Sequence, residues 1–176
     1  MEAVFIGVGS NIDPEKNIRK ALSLLDRESR VVAISTFYRT EPAGPPGQPL
    51  FFNGVLKAET DLPPEELKNS VLRRIEALTG RRRSNDRYAP RTIDLDILLY
   101  GNLVLSDEGL VIPDPDIADR SFLAVPVSEL APDLVLPGSG VCLREIAATH
   151  TKGKLQPLGE FSRRLKKSLH IPEPGR

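Results

Sequence analysis

The spacing of apolar residues changes period several times along this chain, and each change marks an element. Residues 3–8 are apolar almost without a break, which predicts a buried strand. Beyond Gly7-Val8-Gly9-Ser10-Asn11 the period lengthens. Ile18, Ala21, Leu22 and Leu25 fall three and four apart, predicting a helix with Asn11 or Asp13 as cap and Pro14 at its first position. A second strand is predicted over 30–38 and a third over 51–60, separated by a loop rich in proline and glycine at 39–49. Leu62-Pro63-Pro64-Glu65-Glu66 opens a second helix with the stripe Leu67, Val71, Leu72, Ile75 and Leu78, and Thr79-Gly80 ends it.

A fourth strand is predicted over 92–100, with Gly101-Asn102 as its stop. Strict alternation places Ile93, Leu95, Ile97 and Leu99 on one face, against helices, and Thr92, Asp94, Asp96, Leu98 and Tyr100 on the other. Further on, a hairpin is predicted from 103–105 and 110–112, and helical spacing over 117–125 and 127–130 with Pro126 as the interruption. A short helix at 143–149, an edge strand at 155–158, a basic amphipathic helix at 160–170 and a loose tail at 172–176 complete the chain. That basic helix reads as a solvated cover over the core rather than a membrane or partner contact. The order β-α-β-β-α-β is the split ferredoxin-like pattern. The expected fold is therefore α+β: a ferredoxin-like βαββαβ core with C-terminal additions, its sheet mostly antiparallel with helices packed on it.

A chain of 176 residues suits one domain with a sizeable core. We expect a single domain over 1–160, followed by the basic helix and tail at 161–176. Lys plus Arg equals Asp plus Glu at 24 each, without the basic surplus of a general nucleic-acid binder. Cys142 is the one cysteine, so no internal disulfide can form, and a cytoplasmic setting is expected. Met-Glu leads straight into a short apolar run with no basic n-region, so no signal peptide is expected. No apolar stretch reaches spanning length, and no membrane or nucleic-acid partner is expected.

The chemistry gathers around 81–101. Asp94 and Asp96 stand on one face of an otherwise apolar strand, roughly 6–7 Å apart at the backbone, where unpaired carboxylates are costly. Hard oxygen ligands of this kind suit Mg²⁺ shared with substrate phosphates. An isolated D-x-D more often pairs with arginines at a sheet edge. Here Arg81, Arg82, Arg83, Arg87 and Arg91 crowd the preceding loop, and carboxylates beside arginines are the parts of a phosphoryl-transfer site. The glycine-rich segment at 7–11 could cradle phosphate but matches no phosphate-loop pattern, and a tight turn is its commoner reading.

The block Arg87-Tyr88-Ala89-Pro90-Arg91-Thr92-Ile93-Asp94-Leu95-Asp96-Ile97-Leu98-Leu99-Tyr100-Gly101 resembles the signature of the 6-hydroxymethyl-7,8-dihydropterin pyrophosphokinase family. Three more blocks agree in order and spacing. These are Gly9-Ser10-Asn11, then Phe37-Tyr38-Arg39-Thr40 with Asn53 beyond it, and Arg120-Ser121-Phe122 followed by Pro126 and Ala131-Pro132-Asp133-Leu134. The likeness covers residues 3–158. It implies a folate-pathway transferase, a kinase that moves the pyrophosphoryl group of ATP to the pterin hydroxymethyl group by in-line attack on the β-phosphorus and releases AMP. Carried over position by position, Asp94 and Asp96 would hold two Mg²⁺ ions, and Arg81 and Arg91 would stabilise charge on the transferring group. Thr40, Ala43, Phe51, Asn53 and Phe122 would bind the pterin, with Phe122 stacked on it. Arg73, Glu76, Ile97, Asp114 and Arg120 would lie at the nucleotide. The expected partners are ATP and the pterin, and the expected state is a monomer.

The chain departs from the family pattern at Asp114, where histidine is usual, at Tyr88, before the P-R-T block, and at Ser84, where a basic residue is frequent. Two other classes are weighed against this reading. One is a two-metal nucleotidyltransferase or cyclase, separable by its products. The other is a ferredoxin-like RNA-binding module, separable by a gel shift; such modules stack bases on sheet aromatics, and aromatics make up only 5% of this chain.

Overall fold

The computed structural model describes residues 1–42, 44, 46–86, 88–150 and 155–172. The expected pterin residue Ala43, the signature residue Arg87 and tail residues 173–176 lie outside the described residues.

The central strand is β1 (Glu2–Ser10), which pairs antiparallel along its whole length with β4 (Phe51–Thr60) and on its other side with β5 (Asp94–Tyr100). Both β2 (Arg30–Ile34) and β3 (Tyr38–Thr40) pair with β4, and a two-residue β8 (Gln156–Pro157) extends the edge beyond β3. With β2 and β3 counted as one interrupted strand, the order is fourth, first, third, second, all antiparallel. This is the expected ferredoxin-like sheet.

Helices cover both faces, because apolar side chains point both ways from the central strands. Val4, Ile6 and Val8 of β1 pack with Ile18, Leu22 and Leu25 of α1 (Pro14–Leu25). The second predicted helix supplies Leu67, Val71, Leu72 and Ile75 to the same core. It is built as α2 (Pro64–Glu66), a π-helical stretch (Leu67–Leu72) and α3 (Arg73–Leu78). The opposite core joins Phe5, Val55, Leu98 and Leu99. They pack against Ile117 of α4 (Asp116–Asp119), Ala124 and Val127 of α5 (Ser121–Leu130), and Leu143 and Ile146 of α6 (Leu143–Ala148). The basic helix α7 (Gly159–Ser168) buries Phe161 and Leu165 in the first core, with the Phe161 ring edge-on to Phe37 and Phe52.

Several local expectations change. The alternation on β5 breaks between Ile97 and Leu99: Ile6 pairs with Ile97 and Phe5 with Leu99, so Leu98 is an extra residue. This bulge turns Leu99 to the same core as Leu98 and returns Tyr100 to the first. The second predicted strand divides at Ser35–Phe37, where the Phe37 ring turns inward against Gly54; a Cβ on Gly54 would lie 2.7 Å from that ring. Leu78 projects to solvent because Ile75, Glu76 and Thr79 hold the buried stripe. The hairpin starts two residues later than expected, as β6 (Leu105–Asp107) and β7 (Leu110–Ile112) around Glu108-Gly109. The helical stretch after 116 breaks at the extended Arg120, not at Pro126, which lies inside α5 and removes only one intrahelical donor. Residues 7–10 belong to β1 rather than to a turn. Asn11 caps nothing, and Asp13 stands at the α1 N-cap without a side-chain bond.

Candidate active site

Strand register explains where the cavity forms. Gly9 lies between Asn53 and Asp94, and Gly7 between Val55 and Asp96. One face of the sheet therefore reads Thr40, Phe51, Asn53, Gly9, Gly7, Asp94, Asp96 from edge to edge. Helices α4 and α5 cover the far half of that face. Over the near half, two glycines leave the floor bare and a cavity of about 320 Å³ opens. A side chain at Gly9 would displace Asn53, since a Cβ would sit 2.7 Å from Asn53 Oδ1.

The cavity gathers Thr40, Phe51, Asn53 and Phe122 with Arg91, Asp94, Asp96, Asp114 and Arg120. Asn53 donates from Nδ2 to Thr40 Oγ1 at 2.8 Å, and both are buried. Phe122, on the first turn of α5, and Phe51, at the start of β4, supply half-buried aromatic walls. The Arg91 guanidinium lies 5.9 Å from the centre of the Phe51 ring, within cation–π range. Loops 41–50 and 81–90 meet where Gly44 packs on Tyr88.

Arg81 stands behind this cavity. Its Nη1 bridges Glu76 Oε1 and Asp94 Oδ1, while Arg91 Nη1 reaches Asp94 Oδ2 at 2.5 Å. Burial works against the Arg81 charge, but Asp94 and Glu76 outweigh it and raise its pKa. Asp96 opens to the cleft while protein surrounds it. That burial, and the charges of Asp94, Asp114 and Glu76, push its pKa upward. Solvent in the cleft tempers the effect. Asp114 is also raised, chiefly by burial, and its carboxylate accepts the Asp116 N–H at 2.8 Å. Arg120 faces Asp116 at 3.9 Å rather than Asp114.

The remaining expected nucleotide residues lie elsewhere. Ile97 is buried in the first core. Arg73 lines a separate depression beside Lys68, Glu108 and Gly109. Glu76 is only 3% exposed and its carboxylate is taken up by protein groups.

Sequence reasoning did not single out Gln48, Asp116 or Glu41 as lining residues, nor Arg83, whose Nη2 meets Glu76 Oε2 at 2.7 Å. Arg83 could have been found in the arginine cluster; the other three carry no local signal. Asn11 was also missed as a tie between the two loops. Its Oδ1 accepts the Arg91 N–H at 2.8 Å and its Nδ2 donates to Pro49 O at 3.3 Å.

Among the described residues no three His, Cys, Asp or Glu side chains stand together at metal-ligand spacing. The donor chemistry still fits Mg²⁺. Asp94 and Asp96 offer hard oxygens from one strand face, and Mg²⁺ commonly takes one or two carboxylates and completes its shell with phosphate and water. Two guanidinium groups, of Arg81 and Arg91, bring positive charge to Asp94.

A family model, 7,8-dihydro-6-hydroxymethylpterin-pyrophosphokinase, matches residues 5–132. The chain is 41% identical over 162 residues to a 2-amino-4-hydroxy-6-hydroxymethyldihydropteridine pyrophosphokinase of Haemophilus influenzae, covering 89% of this chain and all of that one. Its likeness to the protein of the same name in Methylorubrum extorquens is also 41%, over 90% of this chain and 97% of that one. Among solved structures, a Plasmodium falciparum HPPK-DHPS superposes with a TM-score of 0.65 at 13% identity. That match covers 97% of this chain and 45% of the longer one, and it bears on the fold alone.

Proposed function

The chain belongs to the 7,8-dihydro-6-hydroxymethylpterin-pyrophosphokinase family, and from that premise we propose how its cavity joins the two substrates. The enzyme transfers the pyrophosphoryl group of ATP to the hydroxymethyl group of 6-hydroxymethyl-7,8-dihydropterin, in folate biosynthesis. The substrate hydroxyl oxygen forms a bond to the β-phosphorus, the bond from that phosphorus to the α–β bridging oxygen breaks, and AMP departs as the hydroxyl proton is released.

We place the pterin at Thr40, Ala43, Phe51, Asn53 and Phe122. An aromatic heterocycle is served by ring faces, and its hydrogen-bonding edge by a buried amide and hydroxyl. The triphosphate would lie across Asp94 and Asp96 towards Asp114 and Arg120, with Arg73 and Ile97 assigned to the nucleotide on family likeness. Arg81 and Arg91 approach Asp94 from two sides, where they can follow charge onto the transferring group. Asp94 and Asp96 would hold Mg²⁺, two ions by family likeness. When bound, the metal neutralises triphosphate charge and polarises the phosphoryl oxygens. The observation that carries this reading is the single open cavity face bearing aromatic, amide, arginine and paired carboxylate groups together.

We also propose a catalytic unit over 1–160 with residues 161–176 as its C-terminal cover, acting as a cytoplasmic monomer without nucleic-acid or membrane partners. No described helix is long and apolar enough to cross a membrane.

The test is Asp94→Ala and Asp96→Ala at saturating Mg²⁺. Each should lose at least about nine-tenths of turnover while remaining folded by circular dichroism. A variant that keeps more than that removes its carboxylate from the metal site.

A further inference from the structure

Glu76 sits at the junction of α3, the arginine loop and β5, and three groups converge on it. Oε1 accepts from Arg81 Nη1 and from the backbone N–H of Leu95 at 3.0 Å, and Oε2 accepts from Arg83 Nη2 at 2.7 Å. The backbone adds a fourth link, from Arg81 N–H to Glu76 O at 3.0 Å. A carboxylate this deeply buried must be paired and hydrogen-bonded to persist, and here every partner is a protein group. Neither oxygen is without a protein partner.

We propose that Glu76 is a positioning residue, setting Arg81 against β5 so that its influence on the reaction runs through Arg81. This rests on the reading of Arg81 as a group that stabilises the transferring phosphoryl. The geometry carries the argument further than family likeness does. One nitrogen of Arg81 bridges Glu76 on α3 and Asp94 on β5. Asp94 is the partner that would turn to Mg²⁺ and triphosphate when they bind. Glu76 is the partner that remains, and its bond to Leu95 N–H ties it to the residue next to Asp94. An arginine held only by Asp94 would be released when its partner turned to the metal. Held by Glu76, it stays within reach of the phosphates, with its rotamer already chosen.

The test uses the full chain and compares Glu76→Gln, Arg81→Ala and the double variant. Glutamine keeps the acceptor for Leu95 N–H but loses the charge, so it spares the fold better than alanine. Steady-state AMP formation should show kcat reduced by about 10- to 100-fold in Glu76→Gln, with both KM values near wild type. The double variant should be no slower than Arg81→Ala, because the two residues act as one unit. In the ligand-free protein, the protected Arg81 side-chain N–H signals should move from their wild-type positions in Glu76→Gln, where Asp94 alone supplies the charged partner of that nitrogen.

Multiplying losses in the double variant would overturn the proposal, since Glu76 would then act apart from Arg81. A raised KM for ATP at unchanged kcat would overturn it in favour of direct nucleotide contact. Unmoved Arg81 signals would overturn it as well. Wild-type turnover in Arg81→Ala would overturn both the role of Arg81 and the effect on turnover proposed here. The NMR signals separate the two failures, because they report the position of Arg81 whatever its part in the chemistry.

Discussion

Replacing Gly9 with alanine places one methyl group on the cavity floor, and its cost follows from the register. The added Cβ would lie 2.7 Å from Asn53 Oδ1, against about 3.5 Å for relaxed non-bonded atoms. Roughly 0.8 Å must therefore be found. The β1 backbone cannot yield, because Gly9 pairs with Asn53 on one side and Asp94 on the other. The Asn53 side chain moves instead and loses its bond to Thr40 Oγ1. A buried neutral hydrogen bond is worth about 1 kcal/mol. A pterin contact misplaced by most of an ångström adds a comparable loss, and shifts of about 1 Å can cost a hundredfold in rate. We expect pterin affinity to fall about 10- to 100-fold while ATP affinity stays within about a factor of two. Calorimetric titration with the pterin, in Mg²⁺ and a non-hydrolysable ATP analogue, measures the first; titration with the analogue alone measures the second. Wild-type pterin affinity in a folded Gly9→Ala protein would refute the reasoning. It would mean that the floor is not held by the close approach of Gly9 to Asn53.

Asp114→His should tighten binding of the ATP analogue by about one to two powers of ten, since it removes a charge beside Asp96 and supplies a donor to phosphate; equal or weaker binding by calorimetry would move Asp114 away from the phosphates. Phe122→Ala should weaken the pterin by about 1–3 kcal/mol, by analogy with base–aromatic stacking; early melting with unchanged pterin binding would instead make it a core residue. Asp96 has a raised folded-state pKa, so the folded state holds its proton to higher pH than the unfolded state does, and stability falls as pH rises from the ordinary carboxylate range through the raised value. With EDTA present, Asp96→Asn should therefore melt higher than wild type at neutral pH, with the gap closing near pH 4; a variant that melts lower at neutral pH contradicts the shift.

The elements that were legible are those in which one signal dominated. The segment 51–60, with Pro49 before it and Pro63 after it, became β4 with the expected bounds. The Asp94–Asp96 spacing held because the Leu98 bulge comes after it, so both carboxylates keep the face that alternation gave them. Leu99 and Tyr100, beyond the bulge, exchanged faces. Nothing local announces a bulge where every residue is apolar and both faces are buried, since either orientation buries the side chain. Arg120 ends α4 because its backbone is extended, whereas α5 runs on through Pro126 at its middle with the loss of one intrahelical donor. The role of Gly7 and Gly9 was hidden because glycine in sequence suggests a turn. Here its meaning comes from Asn53 and Leu98 on neighbouring strands, 44 and 91 residues away from Gly9 and Gly7 respectively along the chain. Glu76 was named from family likeness, but its three partners lie 5, 7 and 19 residues further along the chain, and only the fold brings them onto one carboxylate.

The most direct test of the account is to incubate the protein with ATP, Mg²⁺ and 6-hydroxymethyl-7,8-dihydropterin and to follow every product by chromatography. AMP and the pterin diphosphate should form in equal amounts, and neither should form when the pterin is withheld. ADP with a pterin monophosphate, or free pyrophosphate formed without the pterin, would contradict it.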